Sequence, residues 1–269
     1  MATVIMSFYN EEYFLPWWIN HHKNLFHYGI LIDYNSTDRS YEICKELCPP
    51  HWKIVKSVNK DYATDDNDAE FQFHESSITG FKITLTTAEF LFTPAPLYNI
   101  DHFCVEHNID YLRAYGVCMV DANPEELPTY DKHLYAQKHH GMISGYVGPS
   151  YNPLPDYFKC FFSRCYHNKE FGDYAPGRHW LNGENYLEYL APDIFTLKYK
   201  YSPWNSTTIN RIQQFKTRVP QSDLDTNKGG THCLSEAQYV EDYVHYLSTA
   251  HDLMENPAFL NAFTYCNSL

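Results

Sequence analysis

Three short apolar runs in the first 58 residues constrain this chain more than any other feature. "TVIMSF" (3–8) reads as a buried strand. "GILID" (29–33) reads as a second and "WKIVKSV" (52–58) as a third. Helical patterns lie between them. Asn10 fits an N-cap with Glu11 and Glu12 in the first turn, and Pro16 is tolerated that early. Phe14, Trp18, His22 and Leu25 keep helical spacing to about Phe26. Ser36 to Asp38 caps a second helix through Leu47, which the prolines at 49–50 stop. Strand, helix, strand, helix, strand at this spacing predicts an α/β fold with a mostly parallel, Rossmann-like sheet flanked by helices.

The pattern continues less regularly. Residues 59–70, "NKDYATDDNDAE", read as a polar loop, with a helix from about 68 to 78 and a fourth strand at "GFKITL" (80–85). "EFLF" follows. "DHFCVEHNIDYLRAY" (101–115) predicts a helix and "GVCMV" (116–120) a strand. From 121 to 160 the chain is rich in Pro, Gly, Tyr and Asn, and "FKCFFSR" (158–164) is strand-like. "SPWNS" (202–206) and "TNKGGTH" (226–232) read as loops, and helices at about 235–248 and 257–265 close the chain. With no internal repeat or linker, one domain over residues 1–269 is the simplest reading.

Composition excludes several partners. The net charge of −13 argues against duplex nucleic acid, whose phosphates need a basic footprint, and against anionic membranes. No window approaches 18 apolar residues, so no membrane span is expected. The N-terminus has no basic region before its short apolar run, unlike a signal peptide. The eight cysteines form no CxxC pair, which suits reduced core residues of a cytoplasmic protein. The 24 tyrosines fit either a Tyr-rich core or a carbohydrate-stacking surface.

Ligands of open α/β sheets bind at the carboxyl ends of the strands. Two such ends are polar here, Asn10-Glu11-Glu12 and Asp33 with Ser36-Thr37-Asp38. An Asp at the end of an apolar strand is costly unless something binds it. Asp33 either caps its own turn or accepts the N–H of a nucleobase. GxGxxG, GxxxxGK[ST] and GxSxG are all absent, which disfavours dinucleotide, P-loop and hydrolase-elbow chemistry.

"VIMSFYNEEYFLPWWINHH" followed by "ILIDYNSTDRS" resembles the opening of family 2-type glycosyltransferases of the GT-A fold. Asp33, Ser36, Thr37 and Asp38 match that family's D-D-G-S-T-D pattern, while Tyr34 and Asn35 replace its second Asp and its Gly. The match is fairly specific to about residue 58 and looser to about 95. Beyond that it rests on scattered motifs, "PGRHW" (176–180) and "KGGTH" (228–232). The resemblance implies a nucleotide-sugar-binding half over 1–120 and an acceptor-binding half with the C-terminal helices over 121–269. It implies transfer of a sugar from a nucleotide-diphosphate sugar to a glycan or other hydroxyl acceptor, with inversion. Phe8, Asn10, Glu12 and Asp33 would line the nucleotide pocket.

The family's next landmark is a DxD motif after the fourth strand, whose carboxylates hold Mg2+ or Mn2+. Here its positions are Thr87, Ala88 and Glu89, so one carboxylate remains. Glu89 is the metal-ligand candidate or, alternatively, a helix N-terminal acid. The family often adds a late His, for which His179 in "APGRHW" and His232 in "GGTHC" are the candidates. His21-His22 and His139-His140 are less persuasive. If the metal is weak, basic groups must meet the diphosphate: Lys82, Arg178, Arg211 and Arg218 are candidates, and Lys216 reads as an exposed helix residue. The acceptor needs a general base, for which Asp121 is placed by topology, with Asp173 and Glu184 as rivals. Three alternatives stay open: a nucleotide-sugar-binding module without turnover, a nucleotidyltransferase, and a metal-dependent hydrolase using some of the fifteen histidines.

Overall fold

The computed structural model describes residues 1–142, 163–174, 177–182, 186–226, 228 and 233–269. The strand-like "FKCFFSR" lies outside the described residues except for its last two, as do Glu184 and His232.

The N-terminal half follows its strand pattern closely, but its helices do not begin at their expected caps: Asn10 takes a φ of 50° in a turn, so the first helix starts only at Leu15 after Phe14, and the second starts at Ser40 after Arg39. β1 (Thr3–Phe8), β2 (Tyr28–Asp33) and β3 (Lys53–Lys56) alternate with α1 (Leu15–His22) and α2 (Ser40–Leu47). β1 pairs in parallel with β2, and β2 with β3. α3 (Thr64–Glu75) starts earlier than expected, with Asp65 and Asp66 in its first turn, where the helix dipole favours acids. β4 (Lys82–Thr86) adds on the other side of β1, also parallel.

The second half makes the sheet mixed. After β5 (Glu89–Phe92) and α4 (Leu97–Glu106) comes the long β6 (Tyr111–Val120). The helix expected to reach residue 115 therefore ends at 106, and "YLRAY" is strand. Asn108 explains the stop: its φ of 53° takes the left-handed conformation that terminates helices. α5 (Leu134–Gln137), β7 (His140–Met142) and β8 (Arg164–His167) follow. β8 runs antiparallel between β4 and β6, and β7 antiparallel to β6.

β9 (Glu188–Tyr201) was not foreseen in the sequence. It runs parallel to β6 and antiparallel to β5. Its register against β6 jumps from Ala114↔Ala191 to Tyr115↔Phe195, so Pro192 sits in a bulge where its missing N–H costs no ladder bond. α6 (Ser206–Gln213), a 3-10 turn (Gln214–Thr217), α7 (Gln221–Asp225), α8 (Glu236–Leu247), β10 (His251–Asp252) and α9 (Pro257–Asn267) complete the chain. The principal strand order is β10-β7-β6-β8-β4-β1-β2-β3. The main core gathers Val4, Met6, Phe14, Trp18, Phe90 and Phe195 between sheet and helices. Every described cysteine is free. Among the described residues, no helix is long and apolar enough to cross a membrane.

Candidate functional site

The carboxyl ends of β1, β2 and β4 lie side by side, and the turns after β1 and β2 grip each other. Asn10 donates its backbone N–H to Ser36 Oγ at 3.1 Å, and its Oδ1 accepts the Thr37 N–H at 2.7 Å. Glu11 donates its N–H to Ser40 Oγ at 2.7 Å. Glu12 donates its N–H to Asp38 Oδ2 at 3.1 Å, and its Oε2 accepts the Arg39 N–H at 3.0 Å. Asn10 adopts a φ of 50° to make this turn, a conformation Asn tolerates better than most residues. Asn10 and Glu12 are thus spent on holding the two turns together. Phe8 is buried and belongs to the core.

Asp33 ends β2 directly opposite Phe8 and is fully buried. Its Oδ1 accepts the Ser36 N–H at 2.8 Å, so it does cap its own turn. Its Oδ2 has no hydrogen-bond partner among the described residues, and Lys56 Nζ stands 3.6 Å away. Aromatic rings collect beside these turns. Phe215 lies 4.9 Å from the Tyr62 ring centroid and 6.0 Å from that of Tyr9, and Tyr62 is 6.5 Å from Tyr34. Arg218 stacks on Tyr9 at 4.0 Å and donates to the carbonyls of Tyr34 and Lys60 at 3.1 and 2.7 Å.

Glu89 sits at the DxD position and is fully buried. Arg164 grips it with two nitrogens, at 2.8 and 2.6 Å. Lys198, its direct cross-strand partner on β9, donates at 2.9 Å, and the Thr86 N–H at 2.8 Å. Burial alone would raise the pKa of this carboxyl, but Arg164 and Lys198 outweigh burial and hold it far below the carboxylate range. Mg2+ and Mn2+ need free oxygen ligands. Both Glu89 oxygens are occupied by cations, so in this arrangement the residues do not fit a divalent ion.

The "GRH" segment closes over this cluster. Gly177 and Arg178 have φ of 85° and 61°; for a non-glycine residue the latter is strained. Arg178 is held there by an ion pair with Asp68 and by stacking at 4.1 Å on Phe71. His179 Nδ1 lies 3.0 Å from the Ser163 carbonyl. Burial and the neighbouring Arg164 push its pKa down to about 3, so it is neutral at pH 7. Arg211 pairs with Glu11, whose carboxyl pKa is raised by burial despite that pairing. Arg178, Arg211, Glu89 and His179 are therefore gathered in one region, with Arg218 beside the aromatic rings. Arg164, Lys198, Asp68 and Tyr62 join them, none of them singled out in the sequence, together with Glu11, which the sequence placed at the polar end of β1 without a role of its own.

Three expected residues have other roles or places. Lys82 is at the amino end of β4, away from the site, and its ammonium is spent on the carbonyls of Glu75, Ile78 and Glu170 at 3.1 to 3.2 Å. Asp121 is buried and fully engaged: Lys138 Nζ lies 2.7 Å from Oδ1, Asn123 N–H donates at 3.0 Å and Trp204 N–H at 2.9 Å. Asp173 is exposed near the short Tyr174–Leu181 bridge.

No family model and no curated protein matches the chain. Solved structures do. Glucosyl-3-phosphoglycerate synthase from Mycobacterium tuberculosis, in complex with phosphoglyceric acid, is 14% identical at a TM-score of 0.32. That match covers 43% of this chain and 44% of that one. Core-mannan synthase A from Aspergillus fumigatus, in its Mn/GDP form, is 12% identical at 0.28 over 48% of this chain and 44% of that one. GalNAc-T7 with UDP, GalNAc and Mn2+ is 12% identical at 0.40 over 91% of this chain and 56% of that one. The neighbours are GT-A glycosyltransferases. This chain spans about half the length of each, and at these TM-scores the GT-A likeness carries no weight beyond the geometry above.

Proposed function

We propose that the chain is a glycosyltransferase that binds a nucleotide-diphosphate sugar at the carboxyl ends of β1, β2 and β4 and delivers the sugar to a hydroxyl acceptor. The observation that carries this reading is Asp33. Its Oδ2 is fully buried with Lys56 Nζ 3.6 Å away as an ion-pair partner but no hydrogen bond, which still leaves a cost. A nucleobase N–H aimed at Oδ2 would remove that cost. The rings of Tyr9, Tyr62 and Phe215 beside it offer stacking faces. Arg164, Lys198, Arg178 and Arg211 outnumber by one the carboxylates they pair with, Glu89, Asp68 and Glu11, so the cluster would meet a diphosphate with net positive charge in an acidic chain. The alternative is a divalent cation on Glu89 and His179, which would require Glu89 to release Arg164 and Lys198. Inversion follows from the resemblance alone, and Asp121 is engaged elsewhere.

Thermal shift with UDP, GDP, other nucleoside diphosphates and their sugars, each with Mn2+ and with EDTA, tests the reading. A nucleotide at a hundred times its Kd should stabilise the fold by about 2.7 kcal/mol. The shift should vanish in Asp33→Ala and persist in EDTA. No shift with any nucleotide sinks the donor site; a shift seen only with Mn2+ moves the diphosphate contact to the metal. A binding module without turnover is the second reading, favoured by the engagement of both Glu89 and Asp121. Donor binding with neither transfer nor hydrolysis would establish it.

A further inference from the structure

The His139-His140 doublet has no place in the donor site, yet the fold brings a carboxylate to it. β7 and β10 pair at the far edge of the sheet, separated from β1 by β6, β8 and β4. Their register sets Asp252 directly opposite His140. The Leu253 N–H donates to the His139 carbonyl at 3.0 Å and fixes the crossing. One ligand atom from each of His139, His140 and Asp252 lies within 4.8 Å of the others. His139 Nδ1 is 2.6 Å from Asp252 Oδ1, and that oxygen also accepts the Met254 N–H at 2.9 Å, which orients the carboxylate. The two imidazole rings stand 4.9 Å apart at 31°. Both residues border a small cavity shared with Asp121, Asn123 and Lys138.

We propose that His139, His140 and Asp252 form a site for a borderline divalent transition metal, with Zn2+ as the reference ion, and that the ion clips β10 to the edge of the sheet. Two imidazoles and a carboxylate are ligands that suit zinc, whereas an all-oxygen set would suit Mg2+ or Ca2+. The three residues are half-buried, so the ion can enter from solvent while gaining from partial desolvation. Metal binding uses the lone pair of a neutral imidazole. The proton between His139 Nδ1 and Asp252 then moves to Nε2 or to solvent, and water can complete the coordination. The clip has work to do. β10 is two residues long and joins α8 to α9, and α9 packs against β9 and β5. An edge strand that short contributes little pairing of its own. A metal bridging β7 and β10 would hold this connection against the sheet independently of any donor.

The test uses the tag-free full chain, stripped with EDTA and titrated with Zn2+ alone by calorimetry. One equivalent should bind, raise the melting temperature and slow amide exchange at 251–253. His140→Gln and Asp252→Asn should each weaken binding at least tenfold, the loss that even an outer-shell partner produces. His102→Gln, which removes an exposed histidine on α4, should leave stoichiometry and affinity unchanged. Variants are compared only after their metal-free circular dichroism and melting match the parent, with His139→Gln as the third. Equal Zn2+ affinity in all three variants, or no stoichiometric binding by the parent, overturns the proposal. The fifteen histidines make weak scattered binding the rival, and loss of the single stoichiometric step in the variants excludes it.

Discussion

Replacing Glu89 by Gln keeps the shape of the side chain and removes its charge. The structure says what that costs. Arg164 and Lys198 lie 2.6 and 2.9 Å from the carboxylate, with Arg164 3% and Lys198 22% exposed. At an effective dielectric of about 20 each contact is worth roughly 6 kcal/mol, most of it offset by taking the charges out of water. Removing one member of a buried pair leaves the others uncompensated and costs about 3–5 kcal/mol. At about 2 °C per kcal/mol for a domain of this size, the melting temperature should drop by roughly 6–10 °C. The pH dependence has a definite sign. The folded pKa lies below the ordinary 4.5, so the stabilisation is complete above pH 4.5 and is lost as pH falls below it. The gap between parent and Glu89→Gln in urea unfolding should be flat from pH 8 to 5. It should shrink by about 1.4 kcal/mol for each pH unit lower. A loss under about 1 kcal/mol at pH 7 would refute the reasoning. So would a parent stabilised by Mn2+ through Glu89, because that carboxylate would then be available to a metal.

Acidification should act earlier through other groups. His21 and His22 are buried on α1, and burial pushes the pKa of His21 down to about 4 and that of His22 well below its usual value. The unfolded chain takes up protons that the folded one refuses, so stability should fall by about 2 kcal/mol between pH 7 and 5.5; urea midpoints that do not move over that range contradict this. Asp121→Asn should destabilise by about 3–5 kcal/mol by stranding Lys138. If instead the variant melts like the parent but loses transfer, Asp121 is a base after all. Gly29→Ala should cost about 1–3 kcal/mol, because its new Cβ would lie 2.3 Å from the Trp52 ring. Unchanged unfolding and Trp fluorescence would count against that packing.

The strands and the order of elements in the β1–β3 half were legible in the sequence because their signals are local, apolar runs and prolines within a few residues; the helix starts were not, because Asn10 and the residues at 36–38 are used to join the two turns. β1 matches its expected bounds, and the tie of Asp33 to Ser36 follows from spacing. The second half rests on distant pairings. Arg164 reaches Glu89 across 75 residues and Lys198 across 109, separations with no sequence period. β9 was hidden by Pro192, which reads as a breaker until the bulge that accommodates it is seen. Within "YNEE" the expectation fell on Asn10 and Glu12, the residues gripping the neighbouring turn. Glu11, placed between them, is the one turned inward to Arg211. Alternation along one strand does not extend through a turn, so the inward member could not be picked beforehand.

The grip between the two turns also bears on how such a chain could change its ligand. Five bonds, each joining residues 26 to 29 apart in the chain, interlock the two turns and leave positions 10–12 and 36–40 little freedom to vary. They form a fixed floor. Tyr62, Phe215 and Arg218 arrive over it from two other segments of the chain, and Arg218 touches it through the Tyr34 carbonyl and the Tyr9 ring. Under the donor-site proposal, a shift from one nucleobase to another should be sought first at these three residues, with the floor inherited whole.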